Sequence, residues 1–293
     1  MIDETNEGGF AVLREAVARY RAVLGARLVA AYALGSLAHG GFSPLVSDVD
    51  LGLVLADPVE PSDPPTIGAV AEAVKAGGTA LHERLSVFWG TAETLAGRVP
   101  GGRFPPLDRL DLLENGLLLD GEECRQGLTG PEPAELLVEG AEFALDFLGP
   151  GHEQGSGPAG ASLGSLTPAG DDVIDEVRRP ELLVKRDTRH LTKIVLFPVR
   201  FLFTAATGRV GTNHAAVDYY LANPEAVAPA LVAAGLHWRT VPPDDQPAAV
   251  ALLERELRPL YLEYIDDHTT RLEDAGRTDL AAAFTAWRRR LTG

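Results

Sequence analysis

Residues 34–55 read LGSLAHGGFSPLVSDVDLGLVL, and the organisation of the chain follows from them. The apolar run just before, LVAAYAL at 28–34, suits a buried strand that ends at Gly35-Ser36. Eleven residues then intervene, among them Gly40, Gly41 and Pro44, before Asp48-Val49-Asp50 opens a second apolar run at 49–55. Asp48 and Asp50 stand two positions apart, so on a strand their side chains leave the same side. Carboxylates held together repel unless a cation lies between them. The pair therefore suits one or two Mg²⁺ ions bound through oxygen. Gly35 allows the backbone to approach a phosphate closely, and the Ser36 hydroxyl and neighbouring N–H groups are placed to bond outer phosphates.

Outward from this motif, 7–24 has the spacing of an amphipathic helix, with Phe10, Leu13, Val17 and Tyr20 on one face. Residues 67–76 and 107–115 read as helices, 81–89 as a third strand, and 117–119 as a short last strand. Strands alternating with helices place residues 1–130 in a mixed α/β (α+β) class with a small sheet. Past that point strand patterns stop. Residues 133–148 are helical and 149–170 form a Gly/Ser/Pro-rich flexible loop. Helices follow at 171–177, 185–207, 213–222, 225–234, 246–267 and 278–291, so 131–293 reads as an all-α bundle domain.

Composition narrows the function. The chain has 293 residues, 45% of them hydrophobic, and a formal net charge of −16. Such acidity argues against a nucleic-acid partner, since phosphate contacts need clustered Lys and Arg. It suits a small cationic substrate. The apolar stretch at 194–203 is too short to span a bilayer and contains Pro198 and Arg200, so no membrane association is expected. A single cysteine, Cys124, excludes an intrachain disulfide, and the acidic start at Met1-Ile2-Asp3-Glu4 lacks a secretory pattern. A cytoplasmic protein is expected.

The 34–55 segment resembles the signature of DNA polymerase β-like nucleotidyltransferases, and among them the aminoglycoside adenylyltransferases that modify streptomycin and spectinomycin. Residues 109–116 (RLDLLENG) look like the segment closing that domain, and 191–221 resemble the family's helical C-terminal domain. The resemblance implies that Asp48 and Asp50 bind Mg²⁺ while Gly35, Ser36 and Ser47 contact the nucleotide. It further implies transfer of AMP from ATP, the substrate nucleotide, to a hydroxyl of an aminoglycoside-like acceptor, an activity of the antibiotic-resistance type.

The pattern departs from the family at the third carboxylate, a metal ligand or the base for the attacking hydroxyl. In the adenylyltransferases that acid lies in a strand of the type V-E-V, and alignment with Leu85-Ser86-Val87 puts Ser86 in its place. Glu83 is the nearest acid, of opposite parity, and would need a bulge to serve as the catalytic carboxylate. Asp108 and Asp111 are further candidates. Asn213 stands where the family tends to carry a nucleotide-binding lysine. Compensating charge is expected from Arg186, Arg189, Lys193 and Arg200, spaced as one face of a single helix, with Arg186 and Lys193 the residues assigned to the triphosphate. Asp171, Asp172, Asp175 and Glu176 are either contacts for acceptor amines or a polar helix start. His39, Trp89, His237, Trp238 and Cys124 read as structural or inert. Two functions stand: a Mg²⁺-dependent nucleotidyltransferase, or a catalytically impaired nucleotide-binding or protein-interaction module, pseudoenzyme or antitoxin-like, that lacks the third acid.

Overall fold

The computed structural model describes residues 4–149 and 170–293, so the loop expected at 149–170 falls, apart from its end residues, outside the described residues. The described chain divides into two compact units, residues 4–131 and residues 132–149 with 170–293.

The first unit runs α1 (Glu4–Leu24), β1 (Leu28–Leu34), α2 (Gly35–His39), β2 (Val49–Leu55), α3 (Asp63–Lys75), α4 (Ala80–Glu83), β3 (Leu85–Thr91), α5 (Ala92–Leu95), α6 (Pro106–Asn115) and β4 (Leu117–Gly121). Its sheet has the order β3-β2-β1-β4. β1 is antiparallel to β2 and β4, while β2 and β3 are parallel, so the sheet is mixed. Alternation along the strands divides it into two faces. On one, Leu51 and Leu53 of β2 and Val87 and Trp89 of β3 bury against Leu13, Ala16 and Tyr20 of α1 and Ile67 and Val74 of α3. Each such side chain contributes about 1.5–3 kcal/mol on leaving water. On the other face Tyr32, Leu34, Val54 and Phe88 meet Leu95 and Leu112 in a smaller cluster. Asp50, out of step with Leu51, falls on that second face, as does Ser86 opposite it in register.

The strand expected at 81–89 begins later. Thr79 accepts the His82 backbone N–H through its side chain and caps the helical turn α4, so the extended backbone starts at Leu85. Apolar residues at 81 and 85 had blurred this turn into the strand.

The second unit is all helical: α7 (Pro133–Phe147), α8 (Gly170–Arg178), α9 (Pro180–Val184), α10 (Thr188–Thr207), α11 (Asn213–Leu221), α12 (Pro229–Trp238), α13 (Gln246–Asp274) and α14 (Thr278–Thr292). Its core gathers Val195, Leu231, Leu253, Leu257, Tyr261, Tyr264, Phe284 and Trp287, all fully buried. The helix expected from 185 starts at Thr188, because the Asp187 side chain accepts the His190 N–H at 2.8 Å and forces a fresh N-terminus. Likewise the helix expected from 225 starts at Pro229, a residue that suits the first turn. No described helix is long and apolar enough to cross a membrane.

Candidate active site

Asp50 sits where the alternation of β2 predicts. Asp48 lies just ahead of the strand and Asp50 within it, both partly exposed, at the end of the sheet where β1 gives way to α2. Leu34 pairs with Asp50 across the β1–β2 ladder, which brings the Gly35-Ser36 turn against the carboxylate. Gly35 has φ +60°, and a Cβ built there would stand 2.2 Å from Asp50 Oδ2. Only glycine leaves room for that contact. Ser36 is in the first turn of α2 and partly exposed.

A third acid reaches this turn from α6. Asp111 is buried, and its Oδ2 accepts the Gly35 N–H at 2.6 Å while Oδ1 accepts from Asn115 Nδ2 at 2.9 Å. A carboxylate bonded to a backbone N–H is a strong, charge-assisted partner, and here it fixes the start of α2. The 76 residues separating the partners explain why sequence spacing offered only a loose hint of Asp111.

Position 86 is settled by register. β2 and β3 pair in parallel without a shift, and Asp50 stands opposite Ser86, which is buried. No bulge lifts an acid into the row. Glu83, expected as the catalytic carboxylate, is exposed on α4 ahead of the strand, so the structure corrects its placement. Among the described residues, no group of three or more His, Cys, Asp or Glu side chains is arranged to hold a metal. The carboxylates of Asp48 and Asp50 are oxygen donors of the kind a hard divalent cation takes.

Arg103, which no motif signalled, joins this face. Its backbone pairs with Trp89 along the outer edge of β3, and its Nη1 donates to Val87 O at 2.5 Å. The guanidinium lies over the Phe88 ring, 5.3 Å from its centroid. Burial depresses its proton affinity, while the charges of Asp108 and then Asp50 support its cationic form.

Ser47, expected at the nucleotide, is buried, and its Oγ accepts the Ser43 N–H at 2.9 Å, closing the loop before β2. Arg84 ties down the same loop from β3's side by donating to Pro44 O at 2.9 Å.

In the helical unit the expected cationic stripe breaks. Arg186 precedes α10 and pairs with the buried Glu176 at 2.6 Å, and Glu176 also meets His190 Nε2 at 2.7 Å. Its carboxylate is thus engaged by partners of its own unit, as is Asp175 by Arg179 at 2.8 Å. Lys193 is on α10 and partly buried. Arg200, further along, donates from Nε to Gly211 O at 2.5 Å and lies over Phe197. The side chains of Asp171 and Asp172 lie outside the described residues. Trp89 and Trp238 are core residues. Cys124 lies 3.4 Å from the Tyr32 hydroxyl, and burial pushes its thiol pKa up, away from a reactive thiolate.

No protein-family model matches the chain, and no curated protein matches it. Among solved structures it is similar to spectinomycin adenyltransferase AAD(9) from Enterococcus faecialis, determined with ATP and spectinomycin. The alignment has 12% identity and a TM-score of 0.48, and covers 85% of this chain and 99% of that one.

Proposed function

We propose that the first unit binds a nucleoside triphosphate with a divalent cation and transfers a nucleoside monophosphate, AMP from ATP, to a hydroxyl of a small acceptor. The observation that carries this reading is the close approach of Asp50 to the Gly35 backbone at one end of β2, with Asp48 immediately ahead of the strand. Asp48 and Asp50 would hold Mg²⁺, which when bound neutralises triphosphate charge and stabilises the charge that develops during in-line displacement. Gly35 keeps the turn close enough for Ser36 to bond the outer phosphates. Asp111 holds that turn in place from behind. The acceptor oxygen forms its bond to the α-phosphorus as the bond to the pyrophosphate oxygen breaks, and the hydroxyl proton leaves to water. A positioned base is worth about 10²–10⁴ in rate. With Ser86 beside Asp50, turnover should be slow by that factor. The net charge of −16 favours a cationic acceptor, an aminoglycoside-like amine among them.

Ser86 also favours a second reading, in which the site binds nucleotide and no longer transfers it. Pyrophosphate release from Mg²⁺-ATP across a panel of hydroxyl acceptors, cationic ones included, separates the two. Acceptor-dependent release that vanishes in Asp48→Asn supports transfer. Nucleotide bound with no release from any acceptor supports the binding module.

A further inference from the structure

We infer that Arg84 is the residue that positions Asp48 for its metal, by holding the backbone on both sides of that aspartate. This rests on the metal–nucleotide reading above. The two aspartates are secured differently. Asp50 lies in both ladders of β2, opposite Leu34 of β1 and Ser86 of β3. Asp48 lies outside both, because pairing with β3 begins at Val49↔Leu85 and pairing with β1 ends at Leu34↔Asp50. Its place therefore depends on what fastens its neighbours. After it, the Val49 N–H donates to the carbonyl of Arg84 at 3.1 Å. Before it, Arg84 Nη1 donates to Ser47 O at 3.5 Å and, more closely, to Pro44 O at 2.9 Å. One residue thus grips the chain at 44, 47 and 49.

The grip has a fixed base. The Arg84 N–H donates to Leu81 O at 3.2 Å, where α4 ends, and Leu85 opens β3 directly after it. The turn it holds is closed on itself: the Ser47 N–H donates to Ser43 O at 2.8 Å, and Ser47 Oγ accepts the Ser43 N–H at 2.9 Å. A closed turn moves as a body, so one guanidinium contact sets how the chain approaches Asp48. That contact is charge-assisted, hence stronger than a neutral hydrogen bond. A carboxylate just ahead of a strand otherwise samples positions that it must give up when it binds a cation. Fixing it beforehand lowers that cost. Arg84 acts through Asp48 and is a positioning residue.

The test follows ATP binding to the full-length chain by calorimetry while Mg²⁺ is varied. Arg84→Met keeps the backbone bond to Val49 and removes the two side-chain bonds. It is expected to raise the Mg²⁺ needed for half-maximal ATP binding by about tenfold, with full binding restored at high Mg²⁺. Arg84→Lys, a shorter donor, should raise it by about threefold. Asp48→Asn raises the requirement by itself. Adding Arg84→Met to it should change the value by less than about twofold, since the residue through which the arginine acts is already lost. A wild-type Mg²⁺ requirement in Arg84→Met overturns the inference. So does the same rise in both backgrounds, which a merely structural arginine would give. If Arg84→Met fails to fold by circular dichroism, Arg84→Lys decides, and a wild-type value there overturns the inference. A wild-type Mg²⁺ requirement in Asp48→Asn overturns the underlying metal–nucleotide reading instead, which separates the two failures.

Discussion

Gly35→Ala probes the junction between backbone and carboxylate on which the proposed site depends. The added methyl would meet Asp50 Oδ2 at 2.2 Å, and the carboxylate sits on a short side chain near the start of an inner strand. Restoring ordinary contact at 3.4 Å or more requires the oxygen or the turn to move by more than about 1 Å, a displacement that costs on the order of 10²-fold where geometry is tightly set. Gly35 also has φ +60°, where alanine adds about 1–2 kcal/mol of strain. Gly40 supplies the control. Its φ is +91° and a Cβ there meets nothing within 4 Å, so Gly40→Ala imposes strain without touching the aspartates. Urea unfolding should show both variants destabilised by about 1–3 kcal/mol. Isothermal titration with Mg²⁺-ATP should show binding weakened at least about tenfold in Gly35→Ala alone. Equal nucleotide affinity in the two variants would refute the reasoning, since the carboxylate would then be indifferent to its neighbour.

Three further outcomes are expected. Glu83→Gln should leave acceptor-dependent pyrophosphate release within about twofold of wild type, because its side chain is exposed off the β3 ladder; a loss of 10²-fold or more would restore Glu83 as the base. Asp111→Ala should lower unfolding free energy by about 1 kcal/mol by stripping the part-buried Gly35 N–H of its acceptor and weaken Mg²⁺-ATP binding as α2 loosens; unchanged urea midpoint and affinity would contradict this. Burial holds the His268 pKa below its ordinary 6.5, against the opposing pull of Asp267. The unfolded chain therefore takes up a proton that the native imidazole refuses, and stability is lost as pH falls below 6.5, until the folded imidazole protonates too. The slope is at most about 1.4 kcal/mol per pH unit. Urea unfolding between pH 7.5 and 5.5 should be flatter in His268→Phe, and an equal slope would rule this out.

Much of the fold could be read from local pattern. Two apolar runs, a Gly-Ser turn and their alternation pointed to β1, β2 and the face that carries Asp50. Resemblance to the V-E-V strand put Ser86 at the third acid's position, and the register that sets it opposite Asp50 is a finding of the structure. What escaped was decided by bonds between distant or competing groups. Residues 81–89 look strand-like throughout, yet one hydroxyl, Thr79, turns the first part helical and takes Glu83 out of the row. Residues 185–207 look like one helix, yet Asp187 restarts it and leaves Arg186 outside, paired with Glu176. Arg103 comes from a turn-rich segment, and only its long-range pairing with Trp89 carries it to β3. Periodicity says nothing of such pairings.

The central claim is that Asp48 and Asp50 together hold a metal-bound triphosphate. Calorimetric titration of ATP into the full chain, with Mg²⁺ and then with excess chelator, tests it most directly when repeated on Asp48→Asn/Asp50→Asn. Binding that requires both the cation and the two carboxylates is the predicted result. Equal ATP affinity in the double variant, or affinity untouched by chelator, would contradict it.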